Sequence, residues 1–490
     1  MATDPDPRAA PPPDRPEVLS VHSPLAAVLR RDPATVPLDA SVRRALELME
    51  ARRVRAVVVT DPGGRVPVGT FTLEDLVQRV VLPGGDLLQP VAAVMTGAPV
   101  RLSPSATAHH AALTMARSGV GVVVVVDSGG LLLGVVTQDD LFGQRRGGVE
   151  ALGAELQAAT GVPALVRAAE KIRALADGLL RRGLGPEAVT QTLSTLNDLL
   201  TIRVVELAAD RFELPPVPYC WLAFGSEGRL EQTFATDQDN GLVFEADPGD
   251  APAVRAAFLP FARAVTADLD ACGFPLCRGQ VMASNPRWCL SLEEWKAAFA
   301  GWIQEPAPEA LLNATIFFDF RPIHGAEALA ARMREWLLGA AAERPVFLRF
   351  MAANALACRP PLGTLRTFAV ERTGPHRHTL DLKQQGSRLF VDAARVLALG
   401  AGVGHPNTAE RLRGLVAAGR LGEEGGAAML DAFFFIHRLR LRQQRRVGAA
   451  SPRANRVDPR RLNELERHVL AEALRQARRL QAILALEYQL

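Results

Sequence analysis

The stretch from Trp221 to Gly241 limits what this chain can fold into more than any other. It reads Trp-Leu-Ala-Phe-Gly225-Ser226-Glu-Gly228-Arg229-Leu-Glu231-Gln232-Thr-Phe-Ala-Thr236-Asp237-Gln238-Asp239-Asn240-Gly. The apolar run Cys220 to Phe224 predicts a buried strand that stops at Gly225-Ser226. Glycine there admits a close backbone or phosphate, and Ser226 offers a hydroxyl and an N–H to an anion. After a short turn, Asp237-x-Asp239 leads into a second strand, Leu242-Val243-Phe244. Side chains two apart on a strand share a face, so both carboxylates are expected on one side. Two hard oxygen ligands at that spacing suit Mg²⁺ carrying a triphosphate. The bland alternative, an acidic exposed hairpin, would account for a bare Asp-x-Asp but not for the whole string.

The long pattern, Gly-Ser-x-Gly-Arg-x-Glu-Gln followed by Thr-Asp-Gln-Asp-Asn, resembles the signature of the DNA-polymerase-β-like nucleotidyltransferases. It is similar to a nucleotidyltransferase family related to the uridylyltransferase that modifies the nitrogen-regulatory PII protein. The resemblance implies an NTP whose phosphates rest on Gly225 and Ser226, with two Mg²⁺ held by Asp237, Asp239 and a third carboxylate on a neighbouring strand. Asp319 is the candidate for that third ligand. In Ala314 to Gly325, strand alternation puts Ile316, Phe318 and Phe320 on one face and Thr315, Phe317, Asp319 and Arg321 on the other. A charge inside an aromatic strand is costly unless paired or metal-bound, so a buried pair of Asp319 with Arg321 or Arg229 stays open. Arg229, Arg321 and Lys383 are the candidate substrate-binding cations, and Lys383 could equally be a solvated helix charge.

A second organising feature is an internal repeat. Thr35 to Met49, Ala56 to Thr60, a Pro-Gly-Gly turn and Val68 to Leu76 return as Val100 to Arg117, Val122 to Val126, Gly129-Gly130 and Leu133 to Leu141. Each copy reads as strand, helix, strand, glycine turn, strand, helix. The junctions Thr72-x-x-Asp75 and Thr137-x-x-Asp140 have the form of a helix N-cap with an acidic residue at N3. This layout resembles a pair of cystathionine-β-synthase (CBS) domains, and the resemblance implies an adenine nucleotide held through the Thr and Asp of each junction. Capping alone would also explain these residues. The first copy carries Arg52-Arg53-x-Arg55 where the second has Ser118-Gly119-x-Gly121, so the second cleft is expected to be the roomier.

The expected architecture is therefore multi-domain, α/β and α. A disordered, proline-rich lead-in (1–22) precedes the tandem CBS pair (23–145) and a helical linker (146–212). A polymerase-β-like nucleotidyltransferase core (213–330) and a C-terminal helical substrate or partner domain (331–490) follow.

Composition bounds the partners. Net charge is +3, too small to argue for nucleic acid or membrane. Lysine occurs only at 171, 296 and 383 against 53 arginines, so the nine arginines from Arg438 to Arg461 read as a solvated face lacking aromatics for base stacking. Five cysteines show no C-x-x-C pair, and no signal-peptide pattern opens the chain, so a cytoplasmic protein is expected.

The function expected is transfer of a nucleoside monophosphate from an NTP to a hydroxyl acceptor on a protein, regulated by the CBS pair, with no membrane and no nucleic-acid partner. A homodimer through the CBS domains is a further expectation. The alternatives are a non-catalytic adenine-nucleotide sensor and an RNA nucleotidyltransferase.

Overall fold

A valine-rich strand, a glycine turn and a returning strand occur twice in the first part of the computed structural model, which describes residues 24–29, 32–118, 120–137, 140, 147–363 and 368–490. The expected disordered lead-in and Gly119 lie outside these residues. The chain divides into two units that meet at Arg146 and Gly147.

In the first unit a short helix, α1 (Leu25–Val28), precedes β1 (Thr35–Pro37), α2 (Val42–Arg52), β2 (Ala56–Thr60) and β3 (Pro67–Thr72). The helix α3 (Leu73–Leu76) and the short β4 (Thr96–Gly97) complete the first copy. The second copy runs through β5 (Arg101–Leu102), α4 (Ala108–Ser118), β6 (Val122–Val126) and β7 (Leu132–Thr137). In both copies the first strand pairs parallel with the second, which pairs antiparallel with the third. The glycine turns are built alike. Gly64 and Gly130 take φ of +72° and +80°, which favours glycine, and the carboxylates of Asp61 and Asp127 accept backbone N–H bonds across each turn. Ser41 caps α2 by accepting from Arg44 N, a contact worth about 1 kcal/mol.

The second unit opens with three helices, α5 (Gly147–Ala158), α6 (Val162–Arg181) and α7 (Pro186–Ala209). Most of α7 is buried, including the polar Ser194, Asn197 and Asp198. A four-stranded sheet follows, ordered β10 (Cys289–Ser291), β9 (Asn240–Phe244), β8 (Tyr219–Ala223) and β11 (Arg321–Gly325). Around it lie α8 (Gly225–Gly228), α9 (Ala251–Ala271), α10 (Leu292–Gln304) and α11 (Pro308–Phe317). The remainder is helical, through α12 (Glu327–Ala342), α13 (Pro345–Ala357), α14 (Arg388–Gly400), α15 (Thr408–Ala417), α16 (Glu423–Val447) and α17 (Glu464–Tyr488). Two two-residue strands, β12 (Leu380–Asp381) and β13 (Arg456–Val457), clip the loops together.

One expectation is overturned. Residues 314 to 317 are not strand but the end of α11, and only Arg321–Gly325 pairs with β8. Pro308 sits in the first helical turn, and Ala310, Leu311, Ala314 and Phe317 are buried at helical spacing. Phe317 packs 4.1 Å from the Trp288 ring and 4.8 Å from Phe224, so tertiary contact decides between two readings of an aromatic run. In the arginine-rich end of α16, Arg442 pairs with Glu466 and Arg445 with Asp177, but Arg440 is buried, so the run is not one solvated face as expected. All five cysteines are free, and no described helix is long and apolar enough to cross a membrane.

Candidate active site

The strand β8 ends where its backbone must pass under a carboxylate. Gly225 has φ +56°, and a Cβ on it would lie 2.8 Å from Asp239 Oδ2. Three residues on, a Cβ at Gly228 would meet the carbonyl oxygen of Asp319 at 1.9 Å. Both positions admit only glycine, one for the site and one for the packing beneath it.

Asp237 and Asp239 precede β9 in extended chain rather than lying within it. Alternation still holds. Gln238 between them turns inward, its amide donating to the carbonyls of Thr266 (2.9 Å) and Phe274 (2.8 Å). The two aspartates turn outward and line a cavity of about 240 Å³ with Gly225, Ser226, Arg229 and Lys383. No arginine or lysine comes within ion-pair distance of either aspartate among the described residues. Burial, with the Asp237 charge beside it, pushes Asp239 up to about 7, against a hydrogen bond from the Cys277 thiol. An uncompensated carboxylate pair of this kind is suited to a divalent cation.

Asp319 is not a third member of that group. Its side chain is fully buried and both oxygens are taken: Arg395 Nε to Oδ1 at 3.0 Å, Arg395 Nη2 to Oδ2 at 2.7 Å, Arg411 Nη2 to Oδ1 at 2.7 Å and Arg229 Nη1 to Oδ2 at 2.7 Å. Burial alone would raise its pKa, but the charges of Arg395, Arg411 and Arg229 outweigh it and hold the carboxyl far below the usual range. The expected metal ligand is instead the hub of an arginine cluster. No group of three or more His, Cys, Asp or Glu side chains is gathered for a metal among the described residues.

Arg321 also departs from expectation. Its Nη2 donates to Asp198 Oδ1 (2.9 Å) on α7 and to the Glu227 carbonyl (3.2 Å), and it does not line the cavity. Arg229 does line it, but its Nε is held by Glu231 (2.7 Å) as well as by Asp319 on Nη1. Lys383 lines the cavity at an exposed position, with no carboxylate in ion-pair distance among the described residues and with its charge acting on Asp239.

Half of the long motif is scaffold. Glu231 Oε1 accepts from Thr408 N (2.7 Å), Gln232 Oε1 accepts from Asn197 (3.1 Å), and Asn407 donates to the Arg229 carbonyl (2.7 Å). The motif loop is thereby tied to α7 on one side and α15 on the other. Sequence reasoning missed the cavity residues Ser387, Asp392, Arg395, His437 and Arg440, all from the C-terminal helices. The available signal was a polar stripe, His437-x-x-Arg440-x-x-x-Gln444, inside an apolar helix.

In the first unit, Thr72 and Asp75 form a complete capping box, with Thr72 N and Oγ1 donating to Asp75 Oδ2 (2.9 and 2.8 Å). Asp75 Oδ1 accepts from Thr96 (2.8 Å), so the first copy's carboxylate is fully engaged within the protein. Thr137 N and Oγ1 make the same bonds to Asp140 Oδ2, at 2.9 and 2.7 Å. A Cβ at Gly121 would meet nothing within 4 Å, consistent with room in the second copy.

A tandem repeat of this pattern, a Gly-Ser and paired-aspartate cavity and a helical C-terminal region define a nucleotidyltransferase carrying a CBS pair. Comparison with known families gives matches along the chain. CBS domain models match residues 25–82 and 91–146, the model described as "Putative nucleotidyltransferase DUF294" matches 170–309, and its substrate-binding domain model matches 345–488. The chain belongs to this CBS-domain-containing nucleotidyltransferase family. Among solved structures, a CBS domain protein from Pyrobaculum aerophilum, described in complex with AMP, is 28% identical. The match covers 25% of this chain and 93% of that one with a TM-score of 0.24. A CBS-domain protein from Agrobacterium tumefaciens is 33% identical over 24% of this chain and 89% of that one, with a TM-score of 0.22. No curated protein matches the chain.

Proposed function

We propose that the chain transfers a nucleoside monophosphate from an NTP to a hydroxyl acceptor on a protein, in the manner of the PII uridylyltransferase, with Mg²⁺ as cofactor and the CBS pair as regulator. The observation that carries this reading is the outward-facing, unneutralised pair Asp237 and Asp239 opposite Gly225-Ser226 in one cavity. Two carboxylates fit Mg²⁺, which is commonly bound by one or two carboxylates together with substrate phosphates. With Asp319 sealed among arginines, Asp237 and Asp239 alone would hold it. Bound there, Mg²⁺ would neutralise charge building on the phosphoryl oxygens.

The chain's own groups supply the rest. Gly225 leaves space for a phosphate, Ser226 offers a hydroxyl, and Lys383 adds a point charge beside Asp239. The acceptor hydroxyl attacks the α-phosphorus in line and pyrophosphate leaves, while a carboxylate at the site draws off the hydroxyl proton.

One observation favours a second reading. A site with two carboxylates and no third ligand also suits a protein that binds nucleotide and relays a signal without chemistry. Incubating the protein with each labelled NTP, Mg²⁺ and a cell lysate separates the two. Label on a macromolecule supports transfer, and binding without transferred label supports the sensor.

For regulation, we infer an adenine nucleotide at the second repeat, near Thr137 and Asp140, because the second copy carries Ser118-Gly119-x-Gly121 where the first has Arg52-Arg53-x-Arg55, and a Cβ at Gly121 would meet nothing within 4 Å. Pairing of two chains through the CBS domains is part of the same proposal. Leu73, Val77 and Val81, at one-turn spacing on the first unit, are 45%, 48% and 59% exposed and offer an apolar stripe for it. Sedimentation of the full chain checks that part.

A further inference from the structure

One helix carries both core and cavity floor. On α16, Phe433, Ile436 and Leu439 are buried in the apolar cluster, and His437, Arg440 and Gln444 interrupt them at helical spacing. Gln444 is fully used, by Thr233 and Asn455 on its nitrogen and by Ala235 N on its oxygen. His437 and Arg440 are not used in this way. Both line the cavity, and they are only 3% and 6% exposed.

Arg440 donates through Nε to Asn455 Oδ1 (3.1 Å) and through Nη1 to Ser387 Oγ (3.1 Å), both neutral partners. No carboxylate lies within ion-pair distance of it among the described residues, and Nη2 has no protein partner. Burial pushes Arg440 down to about 10, against the pull of Glu231 and Asp381, which act on it from beyond ion-pair distance. The His437 ring rests 4.5 Å from Phe433, and its Nε2 is buried with no hydrogen-bond partner. At the mouth, Lys383 also lacks a carboxylate. The other lining cations are compensated: Arg229 by Glu231 and Asp319, and Arg388 and Arg395 by Asp392. What is left over is two cations and an orphaned imidazole nitrogen facing one cavity, the Ser387 hydroxyl being taken by the Leu382 and Lys383 carbonyls and by Arg440. That set lacks an anion.

We propose that Arg440 and His437, with Lys383 at the mouth, form an anion subsite that takes a phosphate or pyrophosphate group, distinct in its residues from the Asp237–Asp239 pair. Arg440 supplies Nη2, His437 supplies a neutral N–H from Nε2, and Lys383 supplies a mobile charge. Assigning the anion to the substrate rests on the nucleotide-transfer reading, whereas the existence of the subsite does not. The group could be the tail of an NTP or a phosphate carried by the acceptor, and both share this chemistry.

Calorimetry on the full chain in Mg²⁺-free buffer tests the subsite, with inorganic tripolyphosphate standing for the NTP tail and glycerol 3-phosphate for a phosphorylated acceptor. Charge-assisted hydrogen bonds of this kind predict that Arg440→Gln weakens binding about ten- to hundredfold. Lys383→Gln, at an exposed position that does not threaten the fold, should weaken it less but measurably. Preference for tripolyphosphate assigns the subsite to the NTP, and preference for the monoester assigns it to the acceptor. The proposal is overturned if the parent binds neither anion, or if both variants bind as tightly as the parent. Should Arg440→Gln not fold, Lys383→Gln decides on the same criterion. Asp237→Asn separates this proposal from the catalytic one. It should bind tripolyphosphate at least as tightly as the parent while losing transfer. Retained transfer in that variant removes the catalytic reading and leaves the subsite standing.

Discussion

Asp319 and Arg395 form a two-bond ion pair at 3.0 and 2.7 Å between residues 76 apart in sequence, fully shielded from solvent. The pair locks the start of β11, beside the Gly225–Gly228 turn, to α14 of the C-terminal helices. Arg229 and Arg411 complete the cluster, so motif loop, sheet and two helical regions share one carboxylate.

Asp319→Asn is therefore expected to act on stability first. Removing the charge leaves three buried guanidiniums undercompensated, a loss of about 3–5 kcal/mol. The folded carboxyl lies far below its ordinary 3.8, so its contribution is present above that pH and fades as pH falls below it. Melting temperatures of parent and variant should differ widely at neutral pH and converge in acid. A variant that melts like the parent but loses Mg²⁺ binding would restore the metal-ligand assignment.

Asp237→Asn and Asp239→Asn should do the reverse. Each removes a charge from a cavity and not from the core, so the melting temperature should not fall, and Asp239→Asn should raise it near neutral pH because burial penalises the folded Asp239 charge. Nucleotidyl transfer should fall by more than roughly a thousandfold, equivalent to about 4 kcal/mol of lost transition-state stabilisation. Gly225→Ala should approach the same loss, because its Cβ would press on Asp239. Activity in the Asp237/Asp239 double variant excludes the assignment.

Glu227, on the buried side of the motif turn, gives a pH signature. Burial, and then the Asp198 charge, push it up to about 8 against the pull of Arg321. The unfolded chain ionises this group from 4.5 upward, while the folded protein keeps it protonated to about 8. The native state is thus increasingly penalised across that window. Glu227→Gln should raise the melting temperature by an amount that grows from pH 4.5 to about 8 and then levels, reaching a few kcal/mol at most. A difference that does not change with pH would contradict this.

Asp140→Ala is expected to abolish adenine-nucleotide binding to the first unit while Asp75→Ala mainly destabilises that unit, since Asp75 is buried and bonded to Thr72 and Thr96. If the CBS ligand is coupled to the catalytic cavity, allosteric energies of about 1–3 kcal/mol predict a roughly five- to hundredfold change in transfer. Titration with AMP, ADP and ATP, each followed by an activity assay, measures both. Unchanged binding in Asp140→Ala would misplace the site.

By itself the sequence determined what short-range physics controls. The repeat of the first unit follows from alternation, glycine turns and two capping boxes, each complete within a few residues. The Gly225-Ser226 turn follows likewise from a left-handed glycine, whereas the outward orientation of Asp237 and Asp239 is held by Gln238 through Thr266 and Phe274, 28 and 36 residues away. The tertiary structure alone decided what depends on distant partners. Residues 314–317 become helix because Trp288 and Phe224 receive Phe317, though the aromatic run is equally compatible with a strand. Asp319 becomes a hub because Arg395 and Arg411 arrive from 76 and 92 residues away, and Arg321 turns to Asp198 across 123. A buried charge announces in sequence that it needs a partner. Which partner it finds, an ion or an arginine, depends on chain-distant packing that no local pattern encodes.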